Sequence, residues 1–452
     1  VKTTILSFTF LLTALPLLAQ TGSSGKQEVT LEEAINLALK KNYTARTAQN
    51  DLQHAELEKT RASDNLLPSV DASGSWTYSR QVTKSPLFDS TLTVAGYASP
   101  AARHSASYNV GGLMNIYNGG SDAASIESSS RALDAAKYTL KWIRQSVALD
   151  VVRAYINALR THELLASADK TLEQTKAQLD RVRGLYQAGS VPIGQVYQQE
   201  ATMSQQELDR ITAQNDYDNA KADLLFVLNV PANSYERYDI TVRGIDTSVS
   251  VLKSRTTTII PQEQEIENVI ATREDFAASR SEVQSAEAAL GITKSALLPR
   301  LDANFGFRGS GVDYHIDPLQ IFNSYYGGLS ASWTLFDKMQ DRIRLEQQEV
   351  DIETQKVKLE QQEQQYRSDI AKAMNAVRNA ALAVDAAERG LTAAEESLRS
   401  AEERFRVGAG TQTDVIVAQA TIQQARSSDV NAVYTLLFAQ RTLDYQLGRW
   451  NY

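Results

Sequence analysis

A single order of features occurs twice along this chain. Leu67-Pro68 leads into an alternating, strand-like run, then Tyr117-Asn118, then a very long helical stretch ending in Tyr186-Gln187-Ala188-Gly189. Downstream, Leu298-Pro299 leads into alternating strands, Phe336-Asp337, a second long helical stretch, and Phe405-Arg406-Val407-Gly408. Tyr117 to Phe336 and Gly189 to Gly408 share one offset of about 220 residues, and a repeat at fixed offset governs any fold assignment. The unit joins a short β-hairpin to a helix too long for the core of a globule. It predicts the wall of a membrane conduit.

The strands carry the membrane argument. Val70, Ala72, Trp76 and Tyr78 alternate with Asp71, Ser73, Ser75, Thr77 and Ser79. After a loop holding Pro86 and Pro100, Ala106, Tyr108, Val110, Met114 and Ile116 alternate with Ser105, Ser107, Asn109 and Asn115. In the second copy Leu301, Ala303, Phe305 and Phe307 alternate with Asp302, Asn304, Gly306 and Arg308, and Tyr325, Leu329, Ala331, Trp333 and Leu335 with Ser330, Ser332 and Thr334. Period two means one apolar and one polar face. Such strands build a soluble sandwich or a barrel wall. The barrel is favoured by strands of about 10 residues, by polar faces suited to a wet lumen, and by Trp76, Tyr78, Tyr325 and Trp333 placed as a lipid-facing girdle.

Four strands cannot close, and an open edge is not tolerated in lipid. Several chains must therefore pool strands around one axis. Two chains would supply about 8 strands, a barrel filled by its own side chains, and three about 12, the smallest with room for a passage. A homotrimer in contact with membrane lipid is the expectation.

The helices supply the remaining wall. Residues 121–183 hold neither Gly nor Pro, and residues 338–407 hold only Gly390. At 1.5 Å per residue each spans on the order of 100 Å. Ile370, Ala373, Val377, Ala380, Val384, Ala387, Leu391, Ala394, Leu398, Ala401 and Phe405 form a sustained heptad seam, and Leu133, Ala136, Leu140, Ile143 and Val147 do likewise in the first copy. Gly189 and Gly408 read as turns into antiparallel return helices, Gln195 to Val230 and Thr413 to Leu447. Upstream, Thr30 and Glu33 form a capping box that opens a helix running to Leu67, where Pro68 stops it. A matching helix runs from Gln262 to Leu298.

The organisation predicted is a signal peptide over 1–20, a first repeat over 21–229, a connector over 230–261 and a second repeat over 262–452. The hairpins fall at about 69–117 and 300–336, and the helix pairs at about 118–229 and 338–447. Ile5 to Ala19 is mostly apolar behind Lys2, which reads as a secretory signal. A single anchor helix is the other reading, although the run is shorter than the ~20 residues that span a bilayer.

Composition excludes several chemistries. The formal charge of −8 argues against a nucleic-acid partner, and the absence of Cys removes disulfides and thiol chemistry. His54, His104, His162 and His315 have no ligand spacing, so no metal site is expected. Gly306, Gly309 and Gly311 lie outside any strand-to-helix turn, so a dinucleotide fingerprint is rejected. No catalytic constellation and no cofactor are expected.

These residues resemble the outer membrane efflux protein family, the TolC-like export ducts. Leu31-Glu32-Glu33-Ala34-Ile35-Asn36-Leu37-Ala38-Leu39 with Asn42 is similar to the family's opening helix. Leu66-Leu67-Pro68 and Leu297-Leu298-Pro299 resemble its pre-strand sequence, and Gly408 to Ala420 its tip. The resemblance implies a mainly α fold with a membrane β-barrel portion, a trimeric 12-strand barrel continuing into an α-helical periplasmic tunnel. It implies the outer membrane of a Gram-negative bacterium, with most of the mass in the periplasm. It also implies two partners, a periplasmic adaptor protein and an inner-membrane transporter.

In that family acidic rings constrict the tip. Asp414 matches such a position, its first-copy counterpart is Gln195, and Val417 stands where a further Asp is expected. Asp414 reads equally as a helix-capping residue. Arg183, Tyr186, Gly189 and Gly408 at the tip are candidates for adaptor contact, or plain surface loop. Two functions remain open: an outer-membrane duct of a tripartite efflux or secretion system, and a non-transporting trimeric coiled-coil scaffold or adhesin stalk.

Overall fold

The computed structural model describes residues 27–79, 103–231, 238–240, 248–313 and 322–449. The signal assigned to 1–20, the loop of Pro86 and Pro100, and His315 lie outside them. In chain order the first copy contains β1 (Gln27–Val29), α1 (Leu31–Lys41), α2 (Tyr43–Asp64), β2 (Ser69–Ser79), β3 (Arg103–Asn118), α3 (Ser121–Gln187) and α4 (Ile193–Val227). Then come β4 (Tyr238–Ile240) and α5 (Val249–Ile259), followed by α6 (Glu263–Thr272), α7 (Glu274–Ser295), β5 (Arg300–Asp313), β6 (Phe322–Ser332), α8 (Gln340–Arg406) and α9 (Gln412–Gln446). The long helices α3 and α8 are 67 residues each, and the returns α4 and α9 are 35 each. The duplication is thus kept to the residue in the helix pairs.

The turns explain why the lengths match. Gly189 (φ 73°) and Gly408 (φ 76°) take the left-handed conformation that ends each long helix. In the first copy Ser190 N donates to Leu185 O at 2.8 Å, and in the second Ala409 N donates to Arg404 O at 2.8 Å. The seam residues Ile370, Ala373, Val377, Ala380, Val384, Ala394 and Ala401 are buried, as are Leu133, Leu140 and Val147. Small Ala between larger residues lets α8 and α9 approach closely along their length.

The helices before the strands differ from the single runs expected. The first breaks at Asn42 (φ −58°, ψ 137°), whose Oδ1 accepts from Thr44 N at 2.8 Å and so caps α2. The amide of Asn42 also donates to Val227 O at 2.9 Å, at the end of α4. The second breaks at Arg273 (φ −67°, ψ 138°), whose Nη1 donates to Gln446 O at 3.0 Å, at the end of α9. Each break is a place where a side chain reaches the last carbonyls of a return helix. No Gly or Pro marks either one. The capping box is as expected: Thr30 Oγ1 accepts from Glu33 N at 3.3 Å, and Glu33 Oε2 from Thr30 N at 3.0 Å.

The connector is more ordered than its weak periodicity implied. Its strand β4 pairs in parallel with β1, and α5 packs on α8 and α9 through buried Leu252 and Ile259. The largest core cluster gathers here, with Tyr155, Leu159, Leu224, Phe276, Ile370, Leu437 and Leu443 all buried.

The four long strands form one antiparallel sheet in the order β2-β3-β5-β6. Beneath it α2 packs on α3, α3 on α7 and α7 on α8, and further along α4 packs on α3, α3 on α9 and α9 on α8. Every level therefore starts with a first-copy element and ends with β6 or α8. The sheet edges β2 and β6 lie on these same two flanks. No described helix is long and apolar enough to cross a membrane.

Candidate channel wall and helical tip

Pairing puts the two kinds of side chain on opposite faces of the sheet. One face carries Val70, Trp76, Val110, Met114, Phe305, Phe307, Tyr325 and Leu329, and the other Asp71, Ser75, Ser107, Asn109, Asp302, Asn304, Arg308 and Ser330. The apolar face has nothing packed on it. Trp76 is 69 % exposed and Tyr325 85 %, values no water-facing fold holds without cost.

The residues expected to form the aromatic girdle fall at three heights. Trp76 and Tyr78 sit at the end away from the helices, where the His104 ring stands 5.4 Å from Trp76 and 5.0 Å from Tyr78. Tyr325 lies near mid-height, its ring 4.8 Å from Phe307. Trp333 stands just beyond β6, at the helical end, where its indole N–H donates to Leu297 O at 3.1 Å. β6 ends at Ser332, short of the hairpin boundary expected at Phe336, because the chain turns there into α8.

At the far end of the helices, Asp414 and Gln195 occupy the same position of α9 and α4, the third residue of the helix. Their environments differ. Asp414 Oδ2 accepts from Thr411 N at 2.9 Å while Thr411 Oγ1 accepts from Asp414 N at 3.2 Å, a complete capping box. The backbone N–H of Thr411, followed by its hydroxyl, holds the Asp414 carboxyl below the usual range. In the first copy Pro192 replaces Thr411 as the cap and has no side-chain bond to give, and Gln195 Oε1 is buried without a partner.

Among the expected adaptor-contact residues, Arg183 is engaged within the hairpin, donating to Glu200 Oε1 at 2.8 Å across α3 and α4. Tyr186 is 43 % exposed, Gly189 and Gly408 have open space around them, and Val417 is 60 % exposed. What joins the two hairpin tips is a contact the sequence did not announce. Gln412 Nε2 donates to Gln199 Oε1 at 2.6 Å with both side chains buried, and Gln198 reaches Thr413 Oγ1 at 3.5 Å. Gln recurs along α3, α4, α8 and α9, so nothing singled these out.

A second group missed by sequence lies where the helices meet the connector. Arg273 donates from Nε and Nη2 to the two carboxylate oxygens of Asp275, each at 2.9 Å, and its guanidinium stands 4.6 Å from the Tyr366 ring and 5.5 Å from Tyr445. Nearby, Arg255 pairs with Asp444, whose carboxyl burial pushes up and the surrounding arginines pull down. These are fastenings between helix ends. Among the described residues no group of three His, Asp or Glu side chains is placed to hold a metal ion.

A sheet with one bare apolar face and two edges left open within the chain, continuous with helices about 100 Å long, has the features of a membrane barrel wall. The chain belongs to the outer membrane efflux protein family, whose model matches residues 34–230 and 266–449. A curated relative, the pyoverdine export outer membrane protein OpmQ of Pseudomonas putida, is 24 % identical over 70 % of this chain. The chain spans 64 % of that relative's length, less than two thirds. Among solved structures, the Campylobacter jejuni CmeC outer membrane channel matches with a TM-score of 0.75 at 16 % identity, over 92 % of this chain and 85 % of that one. The outer membrane protein VceC of Vibrio cholerae matches at 0.70 and 16 %, over 92 % and 96 %. At such identities the structures speak for the fold.

Proposed function

We propose that three copies of this chain form an outer-membrane duct, which receives cargo from an inner-membrane transporter through a periplasmic adaptor and passes it outside. The observation that carries the reading is the coincidence of open flanks. At the level of the sheet, of the upper helices and of the lower helices, the same two sides of the protomer are unpartnered. Head-to-tail repetition about one axis would pair β6 with the next copy's β2, and α8 with its α2 and α4. The apolar sheet face then meets lipid and the polar face lines the passage.

The tip is the entrance in this reading. Three Asp414 carboxylates would ring it, with Gln195 contributing no charge from the other hairpin, and Arg183, Tyr186, Gly189 and Gly408 lie on the surface offered to the adaptor. A small-molecule cargo is favoured, since the curated relative is a pyoverdine exporter. The test is conductance of the purified protein in planar bilayers. Trimers should give ion currents, and Asp414→Ala should raise them or remove cation preference. Absence of any current would sink the duct, and currents unchanged by Asp414→Ala would sink the acidic ring.

A further inference from the structure

The polar face of the sheet is built mostly of Ser, Asn, Asp and Gly, and near mid-height it carries two large side chains side by side, Tyr326 and Arg308. Asp71, Gly111, Gly306 and Tyr326 are in register across the four strands, and Ser73, Asn109, Arg308 and Ser324 form the adjacent row. The Tyr326 ring lies down along this wall. A Cβ at Gly306 would stand 2.7 Å from its Cζ and Oη, and a Cβ at Gly111 would stand 2.8 Å from its Oη. Glycine on two neighbouring strands is what lets the ring lie flat. Its hydroxyl donates to Asn109 Oδ1 at 3.2 Å, so the ring is held against β5 and β3.

Arg308 reaches over the ring, its guanidinium carbon 5.5 Å from the ring centroid. Arg308 Nε donates to Ser324 Oγ at 3.3 Å, and Arg308 makes no ion pair among the described residues. The acid at this height, Asp71, is on β2, two strands from Arg308. Two strand spacings make about 10 Å and the step to the neighbouring row adds to this, which exceeds the screening length of about 8 Å in physiological salt. The terminal nitrogens of a guanidinium form a fork that matches a carboxylate, and this fork is not taken by a carboxylate of the described chain.

We propose that Arg308 and Tyr326 form a binding station for aromatic carboxylates on the inner wall of the barrel. The guanidinium receives the carboxylate, and the substrate ring stacks against the Tyr326–Arg308 surface. The proposal rests on the duct reading, which places this face around the passage. Threefold closure sets three such stations at one height, so a passing anion is handed between equivalent sites. Weak, repeated binding is what conduction requires, since a tight site would hold its cargo.

The test uses purified trimers in planar bilayers, with benzoate or cyclohexanecarboxylate added on the barrel side. The two anions share charge and approximate size, and only benzoate has a π face. Benzoate should reduce the current at concentrations about fivefold lower than cyclohexanecarboxylate. Arg308→Gln should abolish the block by both, Tyr326→Leu should erase the difference between them, and Tyr326→Phe should keep it. Each variant must retain the open-channel current in KCl alone, which reports an intact barrel. Equal block by the two anions in the unsubstituted protein, or undiminished block in Arg308→Gln, would overturn the station while leaving the duct standing. No KCl current at all would overturn the duct reading and the station with it.

Discussion

Gln412 and Gln199, facing residues of the two return helices, share a hydrogen bond of 2.6 Å inside the tip, and neither side chain is more than 2 % exposed. The bond satisfies only half of each amide, because Gln199 Nε2 and Gln412 Oε1 are buried with no partner. Turning both amides over exchanges the roles and leaves the same deficit. A contact of this kind orders the two hairpins relative to each other at low net stability.

Gln412→Ala should strand the Gln199 amide, at a cost of about 1–3 kcal/mol, while replacing both residues by Leu should cost less than either Ala substitution. Hydrogen exchange over residues 193–200 and 412–418 checks this. Exchange that is unchanged in Gln412→Ala would show the pair to be inert.

The Asp414 capping box should titrate. The Thr411 N–H holds the folded-state carboxyl below its unfolded value. Its contribution is therefore present above the ordinary carboxylate range and is lost as pH falls through the depressed folded value. Exchange rates for residues 411–415, corrected for intrinsic pH dependence, should show protection at neutral pH that fades in acid. In Asp414→Asn this acid-dependent loss should be absent. Thr411→Ala should weaken the start of α9 by about 1 kcal/mol.

Arg273 holds more than a helix break. It bridges Asp275, the C-terminal carbonyl of α9 and two tyrosine rings while its own side chain is 10 % exposed. Arg273→Ala should leave Asp275 unpaired and cost about 3 kcal/mol, read as a lowered apparent melting temperature. Arg273→Lys keeps the charge without the fork and should recover only part of it. The first-copy counterpart, Asn42→Ala, should cost about 1 kcal/mol.

The two starts of the long helices predict a stabilising change. Gly119 and Gly120 precede α3 with φ of 68° and 86°, while Lys338 and Met339 take φ of 64° and 67° before α8. The left-handed region costs a side-chain-bearing residue about 1–2 kcal/mol, partly offset by the freedom glycine has when unfolded. Met339→Gly should therefore be neutral or stabilising by up to about 1 kcal/mol. Gly119→Ala should destabilise by about 2 kcal/mol, because its Cβ would also stand 2.7 Å from Ser295 O. Denaturation midpoints of the two variants should move in opposite directions, or only the second should move.

Much of this architecture was legible because its causes are local. Alternation over Ser69–Ser79 and Arg300–Asp313 marks strands by period alone, and the Ile370–Phe405 seam marks a coiled coil by spacing alone. The left-handed turns at Gly189 and Gly408 are written in the residue type. The Asn42 and Arg273 breaks were not legible, since each depends on a carbonyl about 170–190 residues away in sequence. The pairing of β1 with β4 was hidden for the same reason, as three-residue strands carry no period.

The candidate site divides along the same line. The faces of the strands could be named from the chain, because parity in a strand is a property of sequence, whereas Asp414 was named through its resemblance to the family's tip and Gln195 as its counterpart in the repeat. Only the tertiary structure decided that Asp414 is tied to Thr411, that Gln199 meets Gln412, and that Tyr326 lies flat on Gly306 and Gly111 beside Arg308. Periodicity reports which way a side chain faces. Which partner it finds depends on register between strands and on the crossing of helices, and those are set by packing over the whole protomer.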